Sequence, residues 1–285
     1  MSSTGIQARS HSKMYLSYLL AALASLSIFS ATSKAQQGQS VAEQVAKTYG
    51  IDSFGQIEAI RYTWNVESPR GKVSRTWEWS PKTDSVVYEG KDKEGKPVNA
   101  SYRRSELSNQ SDAIRKEIDP AFVNDQYWVL LPFHIVWDGA AVSNEGMNKL
   151  PVGDGSAERL VAKYPSEGGY QPGDTWDLYV GGDKRIEAIV YHRGAPNPPP
   201  RLVAATYADY KKAGPLLIST DHQGTVDGNP FRIVLSNVLS PSFLAIFSCG
   251  IAVIGPRVAP QIKALRRASV RIAHACGVRP QRPFA

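Results

Sequence analysis

Apolar and polar side chains alternate along residues 60–67: Ile60, Tyr62, Trp64 and Val66 against Arg61, Thr63, Asn65 and Glu67. A period of two predicts a strand with one buried and one wet face. Pro69-Arg70-Gly71 reads as a turn, after which Val73, Arg75, Trp77 and Trp79 carry the pattern into a second strand. Residues 85–89 and 98–103 predict two more strands, joined by the charged turn at 91–96. After residue 137 the rhythm returns at 159–164, 175–181, 185–192, 202–210, 216–221 and 232–238. Turn-forming clusters such as Gln171-Pro172-Gly173-Asp174 separate these runs, so about ten strands are expected.

Two stretches break the alternation. Ser40 to Thr48 predicts a short helix, with Ser40 as cap, Glu43 at the reciprocal position, and Val41, Val45 and Thr48 along one side. Ser111 opens a second helical region that ends at Ile118, because Pro120 disfavours helix in the residue before it. Asp119 then caps a further helix with Pro120 in its first turn. Phe122, Tyr127, Leu130 and Leu131 form its apolar stripe, and Pro132 kinks or ends it. Short loops favour an antiparallel meander. The expected fold is mainly β (α+β): a curved antiparallel sheet of about ten strands forming an open barrel around central helices.

The two ends differ from this body. Lys13 precedes an uncharged run from Tyr15 to Phe29, and Ser33 and Ala35 are small residues before a cut that would leave Gln36 first. The run is shorter than the ~20 residues of a spanning helix, so an export signal is the expectation. Met14 offers a second start. At the other end, the 58 residues after Asp227 carry no carboxylate side chain but eight cations, from Arg232 to Arg282. The expected division is therefore a signal peptide at 1–35, a β-rich domain at 36–240 and a basic tail at 241–285. For the tail, a membrane span, a basic amphipathic helix touching anionic lipid, and poorly ordered or out-of-frame sequence remain alternatives.

The formal net charge of +7 comes from these ends. Setting aside those eight cations and three more in the first 35 residues leaves 22 cations against 26 anions from Gln36 to Asp227. A mildly acidic body does not support nucleic-acid binding. Both cysteines, Cys249 and Cys276, lie in the tail, so the body has neither a disulfide framework nor a thiolate metal site.

The order of one helix, then strands around a helical insertion, resembles the periplasmic outer-membrane lipoprotein-sorting (LolA-like) family. Two stretches carry the likeness toward exported relatives of that fold. One is Ile118-Asp119-Pro120-Ala121-Phe122-Val123-Asn124-Asp125-Gln126-Tyr127-Trp128, running on through Leu131-Pro132-Phe133 to Trp137-Asp138. The other is Gly169-Tyr170-Gln171-Pro172-Gly173-Asp174-Thr175-Trp176-Asp177-Leu178-Tyr179-Val180. The resemblance covers roughly residues 40–240 and implies a periplasmic, non-enzymatic binder of a lipid, acyl chain or other hydrophobic ligand. Envelope proteins are further partners and no cofactor is implied.

A physical reading converges on the same place. An incomplete barrel lined by Tyr62, Trp64, Trp77 and Trp79, and closed by Tyr127 and Leu131 of the helix, makes a concave apolar pocket. The same aromatics also fit as plain core. Reactive groups are sparse. His134, His192 and His222 stand alone, without metal-ligand spacing, so no metal site is expected. Asp119 with Asp125, and Asp174 with Asp177, could serve a periplasmic hydrolase with carboxylates at the cavity mouth. Asp119 as a cap and Asp174 as a turn residue are the plainer roles. Arg61 and Arg75, on adjacent strands, could meet an anionic headgroup. A structural or interaction module recruiting a partner strand at a sheet edge is the third class.

Overall fold

Among the described residues, twelve strands join one antiparallel sheet in the order β4-β3-β2-β1-β12-β11-β9-β8-β7-β6-β5, with β10 paired on β11. The computed structural model describes residues 33–34, 36–167, 171–194 and 201–240. The expected export signal up to residue 32, residue 35 and the basic tail at 241–285 lie outside them, as do Gly169 and Tyr170. Strands β1 (Ile60–Ser68), β2 (Gly71–Ser80), β3 (Ser85–Lys91) and β4 (Pro97–Arg103) form a first meander. A second runs through β5 (Ala141–Lys149), β6 (Ser156–Lys163), β7 (Thr175–Val180), β8 (Ile186–His192) and β9 (Leu202–Thr206). The last three are β10 (Ala208–Ala213), β11 (Leu216–Val226) and β12 (Asn229–Leu239).

The count exceeds ten for two reasons. β5 reads as polar, with Ser143, Asn144, Glu145 and Asn148, and its register shifts between Asn144 and Met147, so its alternation is hidden. The run at 202–210 is broken at Tyr207, which separates β9 from β10.

Helix α1 covers residues 36–48, so Ser40 lies inside the helix rather than capping it. A Cβ at Gly38 would stand 2.6 Å from the backbone of Ser143, which places the start of α1 directly against the edge strand β5. Helix α2 (Asp119–Trp137) begins without a break from the π-helical turn Ile114–Ile118. Asp119 is therefore no free cap. Its carboxylate instead accepts hydrogen bonds from Tyr102 Oη at 3.0 Å and Arg104 Nε at 2.8 Å. Pro132 sits within α2, and the backbone leaves helical geometry two residues earlier, at Leu130.

These contacts show that the sheet bends around α2. Asp119 is bonded to β4, while Tyr127 stacks on Trp176 of β7 with ring centroids 6.2 Å apart. In a flat sheet strands eight places apart would be separated by about 38 Å, yet eight residues of helix span only about 12 Å. β11 and β9 approach closely at Gly224, where a Cβ would stand 1.8 Å from Ala204 O. The sheet is not closed, because β4 and β5 each have one strand neighbour among the described residues.

The core fills the inside of this bend. Ile60, Tyr62 and Trp64 face it from β1, and Phe122, Tyr127, Leu130, Leu131 and Phe133 meet them from α2. Each fully buried side chain of this size contributes roughly 1.5–3 kcal/mol. Among the described residues no helix is long and apolar enough to cross a membrane.

Candidate ligand-binding cleft

Strand pairing decides which side chains face inward. Tyr62 lies opposite Trp77, Ile60 opposite Trp79, and Trp64 opposite Arg75, so Arg75 belongs to the inner face. Arg61 belongs to the outer one, where it pairs with Glu78 at 3.1 Å and Glu89 at 3.4 Å. The two arginines considered together as headgroup contacts are thus on opposite sides of the sheet.

Arg75 reaches α2. Its Nε and Nη2 donate to the two oxygens of Asp125 at 2.7 and 2.8 Å, and its guanidinium lies over the Trp64 ring at 4.4 Å. Asp125 is fully buried and also accepts from Trp77 Nε1 at 2.9 Å and Asn124 Nδ2 at 3.1 Å. Burial pushes its carboxyl upward, and the bonds from Arg75, Trp77 and Asn124 pull back against that push.

Beside this pair opens a cleft of about 590 Å³, between the β1–β2 turn, the start of β12, the end of β11, the start of β9 and α2. Its apolar wall consists of Trp64, Trp128, Val203, Val226, Phe231 and Ile233. Its polar members include Arg70, Arg75, Arg201 and Asp227. A second cleft of about 520 Å³ shares Val66 and Arg75 and is lined by Lys72, Lys91 and Lys93.

Trp128 is fixed on several sides. Its ring centroid lies 6.2 Å from Tyr207, 5.2 Å from His222 and 5.8 Å from Phe231. His222 is wholly buried. Its Nδ1 lies 3.2 Å from the carbonyl of Thr206, so it carries the proton there and donates. Burial lowers this imidazole to about 4, which keeps the ring neutral at neutral pH.

Of the six side chains expected to bind a ligand, Trp64 lines the cleft. Tyr62, Trp77, Tyr127 and Leu131 are buried in the core and do not line it, and Trp79 is half-buried between Phe54 and Phe122. Trp128, Phe231, Arg70 and Arg201 were not singled out from sequence. Phe231 could have been found, because it continues the alternation of Ile233 and Leu235. The arginines sit at strand ends, where nothing local shows that they converge.

The carboxylates considered for catalysis are engaged by neighbours. Asp174 accepts from Tyr191 Oη at 2.8 Å and Gly194 N at 2.9 Å, and its own N donates to Gln171 O as the turn requires. Asp177 accepts from Arg159 at 2.8 Å. Asp138, which the sequence did not single out for catalysis, lies 2.9 Å from His134 Nδ1 and accepts from Tyr127 Oη. Burial opposes ionisation of Asp138, but those two bonds prevail and hold its carboxyl below the usual range. Among the described residues no group of His, Cys, Asp and Glu could hold a metal ion.

No protein-family description matches the chain, and no curated protein matches it. Solved structures similar to it include the following two. A DUF1329 family protein from Desulfovibrio piger is 11% identical with a TM-score of 0.41, covering 77% of this chain and 95% of that one. An outer membrane lipoprotein-sorting protein domain from Vibrio parahaemolyticus is 9% identical with a TM-score of 0.42, covering 76% and 95% respectively.

Proposed function

We propose that this protein is exported to the periplasm and there binds a lipid or other hydrophobic ligand without transforming it, its bent sheet serving as an open barrel. The observation that carries this reading is the 590 Å³ cleft walled by Trp64, Trp128, Phe231 and Ile233. A concave site of that size, with an aromatic wall on one side and polar groups such as Arg70, Asn124 and Arg201 on the other, is a usual form of a small-molecule site. The ligand lies on Trp64 and Trp128, while Tyr62, Trp77, Trp79, Tyr127 and Leu131 belong to the core that holds this wall in place. The carboxylates support binding rather than chemistry, because Asp119, Asp125, Asp174 and Asp177 each hold a structural hydrogen-bond partner.

The test is titration with N-phenyl-1-naphthylamine, whose fluorescence rises in apolar surroundings. The wild-type protein should enhance it saturably. Val226→Trp, which fills the cleft from its half-buried β11 wall, should weaken binding at least about tenfold with an unchanged urea midpoint. Absence of saturable enhancement, or equal binding by the filled variant, would overturn the proposal.

A further inference from the structure

We infer that the ligand is an anionic amphiphile, its single negative headgroup held by Arg70 and Arg201 at the rim of the cleft. This rests on the hydrophobic-ligand reading above and adds to it the charge and orientation of the guest. The three cleft arginines are not equivalent. Arg75 is committed: its Nε and Nη2 both donate to Asp125, and its plane lies over the Trp64 ring. Arg201 holds Asp227 only at 3.6 Å, while the Oδ1 of that aspartate already accepts from Leu202 N at 2.9 Å. The guanidinium of Arg70 has no ion pair or side-chain hydrogen bond among the described residues; its backbone N–H alone is tied, to Ser68 Oγ at 3.2 Å.

Charge at the rim is therefore uneven. Arg75 is cancelled by Asp125 and Arg201 partly by Asp227, which leaves Arg70 as uncompensated positive charge beside an apolar wall. Glu67, on the same turn, is already paired with Lys72 at 2.7 Å. A guanidinium offers paired N–H donors that match the oxygens of a carboxylate or phosphate, so an anionic group is favoured here and a cationic one repelled. The apolar wall fixes the orientation: head at the β1–β2 turn, chain along Trp64, Phe231 and Trp128. At ~30 Å³ per water-sized unit the cleft holds roughly twenty such units, enough for one short alkyl chain and its head.

Calorimetry with four probes below their aggregation limits tests this: decyl phosphate, 1-decanol, decyltrimethylammonium and inorganic phosphate. Decyl phosphate should bind about tenfold more tightly than decanol, decyltrimethylammonium more weakly than decanol, and inorganic phosphate not measurably. The Arg70→Gln/Arg201→Gln double variant should bind decyl phosphate no better than decanol while its affinity for decanol stays unchanged. Arg61→Gln, on the outer face, should match wild type. Equal wild-type affinity for decyl phosphate and decanol, or a preference that survives in the double variant, overturns the inference and leaves hydrophobic binding standing. Inorganic phosphate binding as tightly as decyl phosphate also overturns it, since the site would then recognise the free anion. Failure of both decyl phosphate and decanol to bind sinks the hydrophobic reading itself.

Discussion

Tyr207 Oη donates a hydrogen bond to the main-chain carbonyl of Trp128 across 3.4 Å. Pro132, four residues on, has no N–H to give that carbonyl, so the sequence of α2 creates a vacant acceptor in the middle of the core. Tyr207 fills it from the break between β9 and β10, and its ring also stacks on Trp128. Tyr207→Phe should cost about 1–3 kcal/mol by stranding a buried carbonyl. In a Pro132→Ala background the backbone N–H restored at position 132 takes over, and the cost should fall below about 1 kcal/mol. Urea unfolding of the four proteins in a double-mutant cycle measures the coupling. An additive cycle would mean that the hydroxyl does not substitute for the missing helix donor.

The ion pair at the cleft wall makes a second prediction. Asp125 is fully buried and the Arg75 side chain is 20% exposed, so removing the cation strands a charge in the core. Arg75→Met should destabilise by roughly 3–5 kcal/mol, and Arg75→Met/Asp125→Asn should recover at least half of that loss. Chemical-denaturation midpoints decide it. A double variant less stable than Arg75→Met alone would show that Asp125 acts through Trp77 and Asn124 and not through its charge.

These two cases show which parts of the molecule were readable in its sequence. The inner face of β1 and β2 was, because eight consecutive alternations around Pro69-Arg70-Gly71 leave no other register. Arg75 stood out as a cation within the Val73, Trp77, Trp79 stripe. Its partner did not, because Asp125 lies fifty residues away on a helix whose orientation only packing decides. The boundary at Ile118 was readable, but the cap expected at Asp119 was not borne out for a related reason: Asp119 keeps helical geometry before Pro120, with Arg104 and Tyr102 holding its side chain. Local preference was overridden by a contact with β4. Of the cleft only Trp64 was legible, because the rest of its wall is assembled from the β1–β2 turn, three further strand ends and one turn of α2.

His222 gives the protein a pH dependence with a defined sign. Its folded value of about 4 lies below the ordinary 6.5, so between them the unfolded chain binds the extra proton. Stability is fully present above about pH 6.5 and falls as pH drops toward 4, by up to about 1.4 kcal/mol per pH unit. His222→Phe keeps an aromatic ring beside Trp128 and Tyr207 but removes the titration. Its urea midpoint should therefore fall less than that of wild type between pH 7 and pH 5. Parallel slopes for the two proteins would assign the acid sensitivity elsewhere.

The sheet itself is testable at Gly224. The backbones of β11 and β9 meet most tightly at this residue, where a methyl group would stand 1.8 Å from Ala204 O and 2.7 Å from Ala205 Cα. Those are backbone atoms held by ladder hydrogen bonds, so no rotamer change relieves the overlap; the strands must separate. Because β7 and β4 both reach α2, a separation of β11 from β9 that flattened the sheet would also pull Trp176 from Tyr127. Gly224→Ala should lose more than about 3 kcal/mol or fail to fold. Gly55→Ala, with nothing within 4 Å of the added methyl, should stay within about 0.5 kcal/mol of wild type. Comparable urea midpoints for the two variants would show that the sheet tolerates a side chain at this close approach, and that the curvature around α2 does not depend on it.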